Sequence, residues 1–375
     1  MAEQNLPKSA GDLLRVLLEE KGWTQEELAL ITGRSRQTIM DILAGRTGVS
    51  PEMAIALAAA FGNEPAEWLL LQYQSRLAQV QNDPGEIVKR VKLFEAAPIR
   101  DMQRRGWIPE TKEIGGLESE LKQFFETDEI DDDMGFPVAT RRTIKLPRLN
   151  KAERAWCFRA RHLAKAVHTE VFRESWLETT ERELRRLAAY PKEATKVSEI
   201  LIASGIRFVV VEPLPRARID GATFWLDEST PVIAMSLRFD RIDSFWFTLM
   251  HELSHVRHAD ALSVDTDLEE GMKASGEKPE DESEKRANAE SSASLLPPDE
   301  LDSFIRRVGP LYSKPRIIQF AHRMKIHPGI IVGQLHHKAE IGPSSNREML
   351  AKIRHAVVET ALTDGWGRIA PSHLL

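Results

Sequence analysis

His251, Glu252 and His255 are the residues of this chain whose types and spacing best suit chemistry. They fall in the run His251-Glu252-Leu253-Ser254-His255, directly after the apolar stretch 245–250. On a helix, residues four apart share a face, so the two imidazoles can grip one zinc ion. Glu252, next to the first of them, turns partly to the same side. There a carboxylate can take a proton from a water beside the ion and later give it to a leaving amine. The chemistry implied is hydrolysis of a peptide bond, with one Zn2+ per chain.

A catalytic zinc needs a third protein ligand and keeps its fourth position open. His258 shares the helical face of His251 and His255, but seven residues of helix put it ~10 Å along the axis from His251. A metzincin would carry a glycine and a third histidine beyond His255, and residues 256–261 supply neither at the required spacing. The better source is an acid on the next helix, expected over residues 281–296 after an acidic loop at 265–278. That helix offers Glu282 and Glu284.

The elements that must position these residues can be read upstream. A helix over 192–204 ends at Gly205. Strands are expected at 206–211, 222–226 and 232–235 from their β-branched and aromatic content. Turns are expected at Asp220-Gly221 and at 229–231, and the metal-binding helix over 239–257. A small sheet followed by such a helix is a common plan for His-Glu-x-x-His zinc peptidases. The segment Glu284-x-x-Ala287-Asn288, with Leu295, Leu296 and Pro297, resembles the later helix of the ImmA/IrrE metallopeptidase family. That resemblance implies zinc on His251, His255 and Glu284, with Glu252 as general base. Glu282 remains the other acid in register. Members of the family usually carry an aromatic residue where this chain has Glu290. The stretch 316–335 is similar to the C-terminal extension often found in the same family.

The N-terminus carries a different signal. Five short helices are expected. The first spans 11–21, with Leu13, Leu14, Leu17 and Leu18 on one face. The second starts at Thr24 with Glu27 completing a capping box, turns Leu28 and Ile31 inward, and stops at Gly33. The third has Ser35 as N-cap and ends at Gly45; the fourth has Ser50 as N-cap and Pro51 at its first position. The fifth starts near Pro65 and carries Trp68. Thr24 to Gly45 fits a helix-turn-helix, with Ile39, Ile42 and Leu43 toward the core. Arg34, Ser35, Arg36, Gln37 and Thr38 lie at the exposed start of the third helix, where base edges are read, and Arg46 lies just past its end. Arg and Gln carry the donor and acceptor geometry for guanine and adenine. Residues 23–72 resemble the XRE-type helix-turn-helix family, in particular HigA-type antitoxin repressors. The resemblance implies a homodimer on palindromic double-stranded operator DNA, autorepression, and a cognate toxin or repressor protein as partner.

Between these ends the pattern is helical. Asn82-Asp83-Pro84-Gly85 signals a turn, Leu117, Leu121, Phe124 and Phe125 mark a buried helix face, and residues 128–135 an acidic loop. The basic stretch 141–165 is expected to be the solvated face of a helix with Trp156, Leu163 and Val167 inward. His322, His327, His336 and His337 are expected to be surface or core residues rather than ligands.

The fold class expected is α+β, mostly α. It comprises a five-helix helix-turn-helix domain over 1–75, a helical spacer over 76–190, a zincin-like domain over 191–300 with a small sheet, and a helical extension over 301–375. The composition, 42% hydrophobic and 29% charged in 375 residues, suits a globular rather than a disordered chain. No run approaches the ~20 apolar residues a membrane span needs. Cys157 is the single cysteine, which excludes an internal disulfide and a thiolate zinc site. With no secretory signal visible at the N-terminus, a cytoplasmic protein is expected. A net charge of −6 argues against coating nucleic acid by bulk charge and predicts a focused contact with a modest salt slope.

Overall fold

The computed structural model describes residues 7–79, 84–131, 134–137, 149–266 and 282–370. The turn at 82–83, most of the acidic loop at 265–278 and residues 141–148 of the basic stretch lie outside the described residues. The chain forms two compact units, residues 1–86 and 87–375.

The first unit is built from α1 (Ala10–Lys21), α2 (Gln25–Thr32), α3 (Arg36–Leu43), α4 (Pro51–Phe61) and α5 (Pro65–Gln79). Each of the first four starts on a side-chain cap: Ser9, Thr24, Ser35 and Ser50 accept from backbone N–H groups one turn ahead. At Thr24 the box closes both ways, with Glu27 accepting the Thr24 N–H at 2.7 Å. Gly22, Gly33 and Gly62 end three of the helices in the left-handed region. Leu14, Leu28, Ile39, Leu57 and Trp68 fill the core. Trp68 donates its indole N–H to Asn63 at 3.0 Å, which removes the cost of burying it. Ile31 departs from the expected inward position and is 50% exposed. The core takes Leu28 and Ala29 from α2 instead.

The second unit is mixed. Its helices before the sheet are α6 (Gly85–Ala96), α7 (Ile99–Arg104), α8 (Ile114–Phe124), α9 (Lys151–Ala166), α10 (Leu177–Leu187) and α11 (Val197–Ala203). Then come β1 (Arg207–Val210), β2 (Ile219–Trp225), β3 (Pro231–Met235), α12 (Ile242–Arg257), β4 (Leu262–Thr266) and α13 (Glu282–Leu295). The chain continues through α14 (Pro298–Val308), α15 (Lys314–Met324), α16 (Pro328–His337) and α17 (Arg354–Val358), with β5 (Leu362–Thr363) last among the strands. The sheet order is β4-β2-β3-β1-β5. β1 runs parallel to β3 and β5, and β2 antiparallel to β3 and β4.

Because side chains alternate along a strand, the two sheet faces feed two cores. Phe208, Val210, Ile233 and Met235 pack with α12 and α16. Val209, Val211, Val232 and Ala234 pack with α9 and the helices before it. Residues read as a helical spacer are therefore built into the second core. α9 is the clearest correction: it is buried on nearly all sides, including Arg154 and Arg161. Trp156 donates to the Val211 carbonyl at 2.9 Å, tying α9 to the strand. The basic side chains bury their stems and bring their heads to acceptors. Arg154 reaches the Asp131 carbonyl at 3.2 Å, and Arg161 and Lys165 reach Glu126.

The expected turn at Asp220-Gly221 is also overturned. Both residues lie inside β2, at an irregularity in its pairing with β4. Asp220 accepts two bonds from Arg238, at 3.0 and 3.1 Å, which keeps a buried carboxylate paired.

Candidate functional site

In the first unit, α3 presents the residues expected to meet DNA. Arg34, Ser35, Arg36, Gln37 and Arg46 are exposed and Thr38 is half-buried. The Ser35 hydroxyl accepts the Thr38 N–H at 3.1 Å and lies 2.9 Å from the Thr38 hydroxyl, so the helix start is fixed. Asp41 was not singled out from the sequence, yet it holds two of these residues. Gln37 donates to it at 3.0 Å and Arg46 at 2.8 Å. The Arg46 and Gln37 hydrogen bonds keep the Asp41 carboxyl below its ordinary value. A base edge or phosphate meeting Gln37 or Arg46 must therefore compete with Asp41, whereas Arg34 and Arg36 extend from the helix start.

In the second unit, α12 carries His251, Glu252 and His255, each 0% exposed. The helix lies against α13, which brings Glu284 over the two rings. The His251 and His255 Nε2 atoms are 3.0 Å apart. Glu284 places one oxygen 3.2 Å from His251 Nε2 and the other 3.6 Å from His255 Nε2. Three atoms bound ~2.0–2.1 Å from one tetrahedral zinc lie roughly 3.3 Å from each other, so the donor set fits that ion. Among the described residues this is the group of three whose ligand atoms come within 4.8 Å of one another. Glu282 is exposed and stands outside it.

The surroundings are specific. His255 Nδ1 lies 2.7 Å from Asp260, and Arg286 of α13 donates to the same Asp260 oxygen at 2.7 Å. A proton on Nδ1 leaves Nε2 with its lone pair toward the cluster. Burial raises the Asp260 carboxyl; the His255 hydrogen bond and the Arg286 charge more than offset that, and it sits below its ordinary value. Ser263 of β4 donates to Glu284 at 2.8 Å and lies 3.1 Å from His255 Nε2. Thr223 of β2 lies 2.7 Å from a Glu252 carboxylate oxygen and 3.0 Å from the Glu252 carbonyl, bonding to both through its hydroxyl. At Gly221 a Cβ would come within 2.1 Å of the other Glu252 oxygen. The glycine is thus the space in which that carboxylate sits.

Glu290 lies away from the three ligands. It accepts from Ser254 at 2.6 Å and pairs with His258 at 2.9 Å, joining α13 to α12. His336 bonds the Ser345 carbonyl, and His327 accepts the Gly329 N–H, so both serve local structure.

Comparison with known proteins bears on the first unit. The chain matches the Helix-turn-helix family over residues 14–69. Antitoxin HigA-1 of Vibrio cholerae is 39% identical over 87 residues, which are 23% of this chain and 82% of that protein. The chain belongs to the HigA-like helix-turn-helix family. A helix-turn-helix transcriptional regulator of Escherichia coli, YddM, itself uncharacterised, is 32% identical over 71 residues, 19% of this chain and 76% of that protein. A solved structure of Pseudomonas aeruginosa antitoxin HigA with the higBA promoter is 29% identical. It covers 22% of this chain and 92% of that one, with a TM-score of 0.21. In this HigA-like helix-turn-helix chain the matched residues include α3 and all six residues expected from the sequence to meet DNA. No helix among the described residues is long and apolar enough to cross a membrane.

Sequence reasoning on this HigA-like chain missed Thr223, Asp260, Ser263 and Arg286. Asp260 returns to His255 because Ala259 adopts a left-handed φ of 51°, and the Asp260 N–H donates to the His255 carbonyl at 3.0 Å. No glycine marks that turn. Outer partners of metal-bound histidines carry roughly 10–100-fold of metal affinity. If the cluster holds zinc, Asp260→Asn is therefore expected to weaken that binding by about that factor, as read by competition with a chelating dye. Unchanged affinity would remove Asp260 from the site.

Proposed function

We propose that this chain is a regulator of transcription that binds operator DNA as a homodimer through its first unit. Its second unit, in this reading, is a zincin-like endopeptidase of the ImmA/IrrE type. The observation that carries the second part is the buried convergence of His251, His255 and Glu284 with Glu252 alongside. His251, His255 and Glu284 would hold a zinc ion, which when bound supplies Lewis acidity toward a scissile carbonyl. Glu252 takes the proton of the attacking water and delivers it to the leaving amine. Thr223 holds one Glu252 oxygen, which fixes the carboxylate beside the cluster. Asp260 fixes the His255 ring, and Arg286 fixes Asp260. The substrate is a protein, either a partner repressor or this chain itself.

On DNA, Arg34, Ser35, Arg36, Gln37, Thr38 and Arg46 read or anchor the operator. A good bidentate base contact contributes ~1–3 kcal/mol of discrimination. Arg36→Ala and Gln37→Ala are therefore each expected to loosen binding to the DNA upstream of the chain's own gene by about tenfold or more, with little change on random duplex. Gel-shift titration at fixed salt checks this. Equal losses on both duplexes would make these residues phosphate contacts instead.

The likeness to Antitoxin HigA-1 favours a second reading. There the chain represses its own operon and neutralises a ribonuclease toxin, and the zinc centre is a sensor. Co-expression with a neighbouring toxin separates the two, because protection that survives Glu252→Gln belongs to the antitoxin reading.

A further inference from the structure

The helices α6, α7 and α8, which open the second unit, border a cavity of about 330 Å3. Its walls are Phe94 of α6, Ile99 of α7, and Ile114 and Leu117 of α8. α6 turns Leu93 and Ala96 into the core. Phe94, beside them, is left at the opening with 40% of its surface exposed. A volume of this size falls within the ~300–1,000 Å3 of ligand-binding pockets. An apolar body laid against Phe94 and Ile114 is driven in by the area it removes from water.

The charges that line the cavity are of one sign. Arg90 of α6 and Lys112, just before α8, belong to the lining, and no carboxylate does. Neither cation has a hydrogen bond or ion pair among the described residues. Asp101 is held by Arg104 and Glu118 by Lys122, each at 2.8 Å. Glu86, Glu95, Glu110 and Glu113 are exposed and stand outside the lining. The Thr111 hydroxyl adds a donor. It sits over Gly116 of α8, where a Cβ would stand 3.1 Å from its oxygen. The remaining polar group, the Gln103 amide, already donates to the Pro109 carbonyl at 3.3 Å.

Two unpaired cations and a hydroxyl above an apolar wall suit an anion with an apolar body. A neutral apolar molecule would leave the cations without a partner, and a bare anion would leave the wall facing water. A carboxylate accepts several hydrogen bonds at once, and those from charged donors are the stronger ones.

We propose that this cavity binds an organic anion, a carboxylate carried on an alkyl chain. The chain lies against Phe94, Ile99, Ile114 and Leu117, and the carboxylate is turned toward Arg90, Lys112 and Thr111. None of these residues belongs to the zinc cluster or to the α3 face, so the site stands independently of both readings above.

The test is calorimetric titration of the full-length protein with octanoate, octanol and acetate at fixed salt. Arg90→Gln and Lys112→Gln, singly and together, remove charge at exposed positions. Ile114→Trp fills the cavity from α8. Melting temperatures are recorded for all variants. Octanoate is expected to bind at one site per chain, about tenfold tighter than octanol, and acetate not to bind. Each single charge change should weaken octanoate by about two- to fivefold, the range of an exposed charge pair. Raising the salt should weaken it as well. Folded Ile114→Trp should not bind it. If that variant does not fold, the double charge variant decides, with octanoate expected to fall to the affinity of octanol. Octanol or acetate bound as tightly as octanoate overturns the anion-with-chain assignment. Octanoate held equally by the wild type, the double charge variant and folded Ile114→Trp places it elsewhere and overturns the site, as does no binding at about millimolar octanoate.

Discussion

On the proposed peptidase reading, Glu252→Gln is expected to lower the rate of peptide cleavage by roughly 10²–10⁴-fold, the usual contribution of a positioned general base, and to leave zinc binding and the fold intact. Glutamine fills the same space and still accepts the Thr223 hydroxyl, which bonds the native carboxylate at 2.7 Å. What it lacks is the basicity to take a proton. Glu252 is fully buried, and the void at Gly221 that receives its carboxylate is present only because that residue has no Cβ. Such a carboxylate has no role in packing that an apolar residue would not fill at lower cost. Cleavage of casein peptides, of the chain itself and of a co-expressed repressor is measured with zinc-loaded protein of both forms. Equal rates would assign the hydrolysis to another group and leave Glu252 a structural residue.

Removing a ligand should act on the metal itself. His251→Ala and Glu284→Ala are each expected to weaken zinc binding by more than about 100-fold, the upper range for an outer-shell partner alone. The loss is visible as stability. An ion present at 100 times its dissociation constant stabilises the folded state by about 2.7 kcal/mol. Added zinc should therefore raise the unfolding midpoint of the wild-type protein and leave both variants nearly unmoved. A midpoint that responds equally in all three would put the ion elsewhere. Glu282→Ala is the internal control, since Glu282 is exposed and outside the group of three.

The parts of this architecture that follow local rules were legible in the sequence. The caps at Thr24, Ser35 and Ser50 and the glycine stop at Gly33 are short-range signals, and helices of the first unit begin and end on them; α3, expected to end at Gly45, ends at Leu43 with Ala44 as its cap. The spacing of His251 and His255 put both on one helical face. The parts that depend on long-range packing were not legible. α9 reads as a basic surface helix because nine Lys and Arg residues dominate 141–165. Its burial comes from Trp156, Phe158 and the alanines, which meet a sheet whose strands begin some fifty residues later. Asp220-Gly221 reads as a turn because those residue types favour turns. In the fold, Arg238 satisfies the aspartate and Glu252 needs the glycine's missing side chain. The short strands β4 and β5 carry polar residues and too little apolar content to announce themselves. β4 nonetheless supplies Ser263 to the cluster.

The central claim is tested most directly by the zinc content of the purified full-length protein, by elemental analysis after purification without chelators. The account predicts one zinc per chain, retained in Glu252→Gln and lost in His251→Ala and Glu284→Ala. No zinc in the wild-type protein after reloading, or equal zinc in the ligand variants, would contradict it, and the antitoxin-repressor reading would then lead.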